Sequence, residues 1–158
     1  MEKLSLVKLY KKHIRGTSEK APVVPLCIHL CTLTNAVRIA LCIQCQKIYI
    51  TTRVLKHLYD SKPAEEFEFL LRNIGVIVKY PDHLYQNKSN KRGTHLFTKT
   101  IKNILYACSI ETTADKNPDE KEDGMIYVVT GFRIRPKKTS YLTNYSLIWS
   151  WKGDKPSS

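Results

Sequence analysis

Long apolar runs are the first thing this sequence lacks. No stretch reaches the roughly 18–20 consecutive apolar residues of a membrane span, and the nearest, VVPLCIHLCTL, is interrupted by Pro25 and His29. That segment has no small-residue cleavage site behind it, so the basic start MEKLSLVKLYKKHIRG does not read as a secretion signal. Glycine is scarce at six residues and the seven prolines are scattered, which leaves no linker to divide the chain. A Gly-rich phosphate loop, a serine elbow and a clustered carboxylate pair are all missing. Kinase, P-loop, α/β-hydrolase and two-metal nuclease chemistries therefore find no motif. Five cysteines is an odd count, without the density of a secreted disulfide scaffold. Such usage points to a reducing cytoplasm.

Acid is the other shortage. Lys and Arg number 26 against 14 Asp and Glu, a net charge of +12. Six of the acids lie between Glu111 and Asp123 with only two lysines, a local net of −4 that leaves +16 on the rest. Such a field attracts a polyanion, and phosphate backbones are the commonest polyanionic partners. A nucleic acid is therefore the expected partner, and no membrane association is expected. Hydrophobic residues make up 42%, enough for a real core in one domain of 158 residues.

Residues 4–14 suggest a short helix, and residues 23–50 read as extended runs with a turn near Thr34-Asn35. The period changes at Thr51-Thr52, where Thr52 can cap RVLKHLYD. Asp60 or Ser61 can cap a second helix, with Pro63 in its first turn and Glu65 and Glu66 at its positive end. Phe67, Leu70, Leu71 and Ile74 then fall on one face, and Gly75 ends or bends the helix. HLFTKTI and NILYACSI flank a tight turn near Lys102-Asn103. In MIYVVTGFRIR, alternation puts Tyr127, Val129, Gly131 and Arg133 on one face and Ile126, Val128, Thr130 and Phe132 on the other. YLTNYSLIWSW supplies a last strand or a docked aromatic segment. The order predicts an α+β domain.

His57 stands at the border of a helix's buried face, where an imidazole can be both oriented and reachable; its alternative role is a satisfied core-edge histidine. Lys56 is its neighbour. His95, Thr98, Lys99, Lys102, Thr130 and Arg133 offer cations and hydroxyls from strands, and Arg133 can clamp a phosphate. Lys91 and Arg92 belong to a basic loop suited to backbone phosphates. Trp149 and Trp151, with Tyr141, Tyr145, Lys137, Lys138 and Lys152 nearby, combine aromatics and cations that can stack an unpaired base, or serve as core plugs. Cys27, Cys31, Cys42 and Cys45 have zinc-like spacing, but the apolar, β-like residues between them favour buried thiols. No cofactor or metal is expected.

The run KIYITTRVLKHLYDSKPAEEFEFLLRNIGVIVKYPDHLYQNKS, then HLFTKTIKNILYACSIE and GMIYVVTGFRIRPKKTSYL, resembles phage and mobile-element nucleases of the barnase–EndoU–colicin–RelE-like superfamily. The likeness lies in the order of elements and spans about residues 47–151. It implies two short helices packed on an antiparallel four-stranded sheet over residues 47–158, with residues 1–46 as a β-rich extension packed on the same core. It further implies a toxin-like endoribonuclease that cuts tRNA or other structured RNA without metal and leaves a 2′,3′-cyclic phosphate, or an RNA-binding module that kept the fold without cleavage. On that likeness His57 is the general acid/base and Thr130 lies in the phosphate pocket. Lys99 or Lys102 stabilises the transition state, with Arg133 close by. A toxin needs an inhibitor, and the +12 chain suits an acidic immunity or antitoxin protein.

Overall fold

The computed structural model describes residues 5–44, 46–87, 95–112, 126–135, 142 and 145–151. Among these the chain runs α1 (Leu6–His13), β1 (Cys27–Thr32), α2 (Asn35–Leu41), β2 (Lys47–Thr51), α3 (Thr52–Ser61) and α4 (Ala64–Lys79). It continues through β3 (His83–Asn87), β4 (His95–Ile101), β5 (Ile104–Thr112), β6 (Ile126–Ile134) and β7 (Tyr145–Ser150).

The class is α+β, as the element order implied, but the architecture is larger than two helices on four strands. One mixed sheet of seven strands has the order β1-β2-β6-β5-β4-β3-β7. Strands β3 to β6 form a contiguous antiparallel meander. Strand β7 adds to one side of it and β2 with β1 to the other. The β2–β6 contact is parallel, which a purely antiparallel reading could not include.

The N-terminal part is not β-rich. It holds one strand and two helices, and the run after Thr34 that reads as a strand opens as α2. Thr34 explains this locally: its hydroxyl accepts from the Val37 N–H at 3.3 Å, and Val37 and Leu41, four apart, are buried together. Leu9, Ile14, Ile28 and Leu33 share one core with Ile48, Ile50, Leu55 and Leu70.

Helix α4 buries the predicted face of Phe67, Leu70, Leu71 and Ile74, and adds Ile77 and Val78. It does not stop at Gly75. A side chain there would meet only Leu30, at 3.9 Å, so glycine serves no steric need and the helix runs on to Lys79. Asp60 and Ser61 are not its caps but the last residues of α3; the flanking residue is Pro63. The cap of α3 is likewise one residue earlier than predicted. Thr51 accepts from the Val54 N–H at 3.2 Å, while Thr52 is buried inside the first turn. The tight turn at Lys102-Asn103 is present, with φ of 52° and 68°, as a two-residue hairpin loop with the favoured twist requires.

Candidate active site

Strands β2 and β6 pair only through Ile48 with Ile126 and Tyr49 with Tyr127. Beyond that point β2 ends at Thr51 and turns into α3, while β6 continues beside β5. The divergence opens a cleft of about 780 Å³. Its walls are the start of α3, residues 25–27, and the middle of β6, with Glu111 of β5.

His57 and Thr130, which the sequence singled out separately, both line this cleft. Arg53 lines it as well, four residues before His57 and therefore on the same helical face. Both side chains are exposed. Glu111 and Tyr127 complete the polar lining with Thr51. Among the described residues, no group hydrogen-bonds the His57 ring.

A bulge sets the β6 wall. Opposite Ser109 and Ile110 stand Thr130 and Val128, so Val129 is an extra residue in the ladder. The simple alternation predicted for MIYVVTGFRIR therefore breaks: Ile126 and Val128 are buried two apart, then Gly131 three further on. Tyr127 and Thr130, which alternation would put on opposite faces, both reach the cleft.

Thr52 holds the opposite wall. Its hydroxyl donates to the Val24 carbonyl at 2.6 Å and accepts from the Leu26 N–H at 2.9 Å. The Thr52 N–H donates to the Leu26 carbonyl at 2.9 Å. The segment leading into β1 is thereby fastened to the first turn of α3.

The other predicted residues lie elsewhere. Lys56 does not face a ligand. It is buried, and its ammonium donates to Thr17 Oγ1 at 2.9 Å, the Ser18 carbonyl at 2.7 Å and Asp60 Oδ1 at 2.8 Å. A lysine with three acceptors has no proton left for phosphate. That hydrogen bond, with one from the Lys20 N–H, holds the Asp60 carboxyl below its ordinary value, although desolvation pushes the other way. Lys99 is not in the cleft but in a second groove with Trp149 and Trp151. Lys102 sits at the exposed hairpin turn. Arg133 lies near the start of α4, where its backbone N–H donates to Glu66 Oε2 at 3.1 Å. Its buried Nε has no hydrogen-bond partner among the described residues. Thr98 is buried, with its hydroxyl likewise unpartnered among them. Lys91, Arg92, Lys137, Lys138, Tyr141, Lys152 and Cys45 are outside the described residues, as is most of the acidic stretch.

The cysteines divide. Burial pushes the Cys31 thiol up to about 11 and raises that of Cys108 as well. Cys27 and Cys42 are exposed, against the expectation of buried thiols. No three His, Cys, Asp or Glu residues group as metal ligands among the described residues.

No protein-family model matches the chain, and neither a curated protein nor a solved structure matches it. No helix among the described residues is long and apolar enough to cross a membrane.

Arg53, Glu111 and Tyr127 were not singled out from the sequence. Arg53 was findable, because it stands one helical turn before His57. Glu111 counted with the acidic stretch, although it belongs to β5. Tyr127 was hidden by the bulge.

Proposed function

We propose that the chain is a metal-independent, toxin-like endoribonuclease that cuts tRNA or other structured RNA and leaves a 2′,3′-cyclic phosphate. The observation that carries this reading is the convergence of His57 and Thr130 on one cleft with Arg53, Glu111 and Tyr127. Cleavage of this type forms a bond from the 2′-oxygen to phosphorus and breaks the bond from phosphorus to the 5′-oxygen. A base takes the 2′-OH proton, a cation stabilises the crowded phosphorane, and an acid protonates the 5′-oxygen. His57 and Glu111 supply the two proton-transfer groups. Arg53 supplies a permanently charged planar cation for the phosphoryl oxygens, and the Thr130 and Tyr127 hydroxyls supply donors. The basic field brings the polyanion in. Lys99, Lys102 and Arg133, which lie away from the cleft, drop out of the catalytic set. The site of action is the cytoplasm, and an acidic immunity or antitoxin protein is the partner that would silence it.

The test is incubation of the purified chain with total tRNA in EDTA, beside His57→Ala. The expected result is discrete fragments ending in cyclic phosphate, with a rate loss of about 10²–10⁴ in the variant, the usual contribution of a general acid or base. A 2′-deoxy substitution at the scissile nucleotide should block the cut. Cleavage that survives His57→Ala, or stops in EDTA, sinks this mechanism.

One observation favours a second reading, an RNA-binding module without cleavage. A catalytic histidine is ordinarily oriented by a third group, and no described residue hydrogen-bonds the His57 ring. On that reading tRNA shifts in a gel, stays intact, and binds His57→Ala as well as the unaltered chain.

A further inference from the structure

We propose that the groove containing Trp149 and Trp151 is a stacking site for an unpaired nucleobase of the RNA. This rests on the RNA-directed reading above and gives that reading a substrate preference, for RNA with single-stranded nucleotides.

The groove has about 440 Å³ and lies between the start of α2, the end of α4 with residues 80–82 that follow it, β4 and the end of β7. That size falls within the range of small-molecule sites. Trp149 is half-buried against the main core, opposite Leu84 of β3. Trp151 is 47% exposed and Tyr80 is 55% exposed. Large aromatic rings left open at the rim of a groove are the informative kind of exposure. Their backbones are fixed. The Trp151 N–H donates to the Asp82 carbonyl at 2.8 Å, and Lys99 Nζ donates to the Tyr80 carbonyl at 2.7 Å.

The charges fit a base carrying its phosphates better than an apolar peptide. Asp82 is already occupied, by Lys99 Nζ at 3.5 Å and the Thr100 N–H at 2.9 Å. Lys99 is therefore a brace for Asp82 and Tyr80. Lys79 is the cation left over. It lies 5.5 Å from the centre of the Tyr80 ring and has no ion pair among the described residues. An aromatic platform with a spare cation at its edge is the arrangement that holds single-stranded nucleic acid, because every base has a π-face and every nucleotide a phosphate.

Trp149 and Trp151 are the two tryptophans of the chain, so intrinsic fluorescence reports on this groove. The full chain carrying His57→Ala is titrated with a fluorescein-labelled RNA pentamer of uridines, and tryptophan emission and label anisotropy are followed together. The expected result is saturable quenching with the same midpoint as the anisotropy. Trp151→Ala, an exposed position that leaves Trp149 as reporter, should weaken binding at least fivefold, the lower bound for losing one stacked base. Lys79→Ala should lower affinity and flatten its salt dependence. Anisotropy that saturates while emission stays flat and Trp151→Ala has no effect overturns the groove and leaves the RNA reading standing. No binding by either signal overturns the groove, while the tRNA assay decides separately on the nuclease. If the groove binds anilinonaphthalene sulfonate while the RNA titration stays flat, it belongs to an apolar protein segment, which also overturns the proposal.

Discussion

Replacing Asp60 with alanine should destabilise the protein by about 3 kcal/mol, and the reason is Lys56 rather than Asp60 itself. The Lys56 side chain is 7% exposed and that of Asp60 15%. With Asp60 gone, the ammonium keeps its bonds to Thr17 and Ser18 but loses its only anion among the described residues. Removing one partner of a buried pair costs about 3–5 kcal/mol, because the remaining charge stays desolvated. The residual exposure of Asp60 places this case at the lower end. The same change frees the Lys20 N–H, which Asp60 Oδ2 accepts at 2.9 Å. At 2–4 °C per kcal/mol for a chain of this size, the midpoint should fall by about 6–12 °C. Urea and thermal unfolding followed by circular dichroism measure the two quantities.

Two further measurements isolate the cause. Adding Lys56→Met to Asp60→Ala removes the stranded charge and fills its space, so the double variant should recover much of the loss. The pH dependence has a fixed sign. The folded Asp60 carboxyl ionises below its ordinary value, so between the two values the unfolded chain binds more protons, and stability rises with pH there. The contribution is complete above the ordinary carboxylate value and disappears as pH falls through the lowered one. The unaltered protein and Asp60→Ala should therefore converge in acid. A loss under about 0.5 kcal/mol at neutral pH would refute the reasoning, since that is the size of an ordinary surface substitution.

Thr52→Val should cost about 1–3 kcal/mol in thermal melts, because it strands the Leu26 N–H in a part-buried setting. It should also raise amide exchange at residues 24–27, and unchanged exchange there would show that the cleft wall is held by something else. Alkylation of the native protein by iodoacetamide at pH 8, read by mass spectrometry, should label Cys27 and Cys42 while sparing Cys31 and Cys108. A thiol near 11 is about one part in a thousand thiolate at that pH. Prompt labelling of Cys31 would contradict its burial.

The parts of the fold that were legible in the sequence are those with strong local signals. The face of α4 repeats at helical spacing, and its buried residues are the ones that spacing selects. The β4–β5 hairpin was readable because Lys102-Asn103 can take positive φ. Helix α2 was not readable, because seven residues rich in Ala, Val, Ile and Leu have the same composition as a buried strand. The parallel β2–β6 contact joins segments about eighty residues apart, and nothing local announces it. Lys56 and Lys99 failed as site residues for one physical reason. A lysine beside suitable acceptors folds back to satisfy them, and charge counted from sequence takes no account of that.

The N-terminal segment supplies part of the candidate site's wall. β1 pairs along β2, which places residues 25–27 beside the first turn of α3, and Thr52 fastens them there. These residues form one wall of the cleft that holds His57 and Thr130. Lys56, one helical turn after Thr52 and so on the same side of α3, anchors Thr17 and Ser18 there. The N-terminal segment thus runs along one side of helix α3, with Arg53 and His57 exposed beside it. Cleft geometry and N-terminal packing are therefore one structural problem, and a variant that loosens either should be judged by its effect on both.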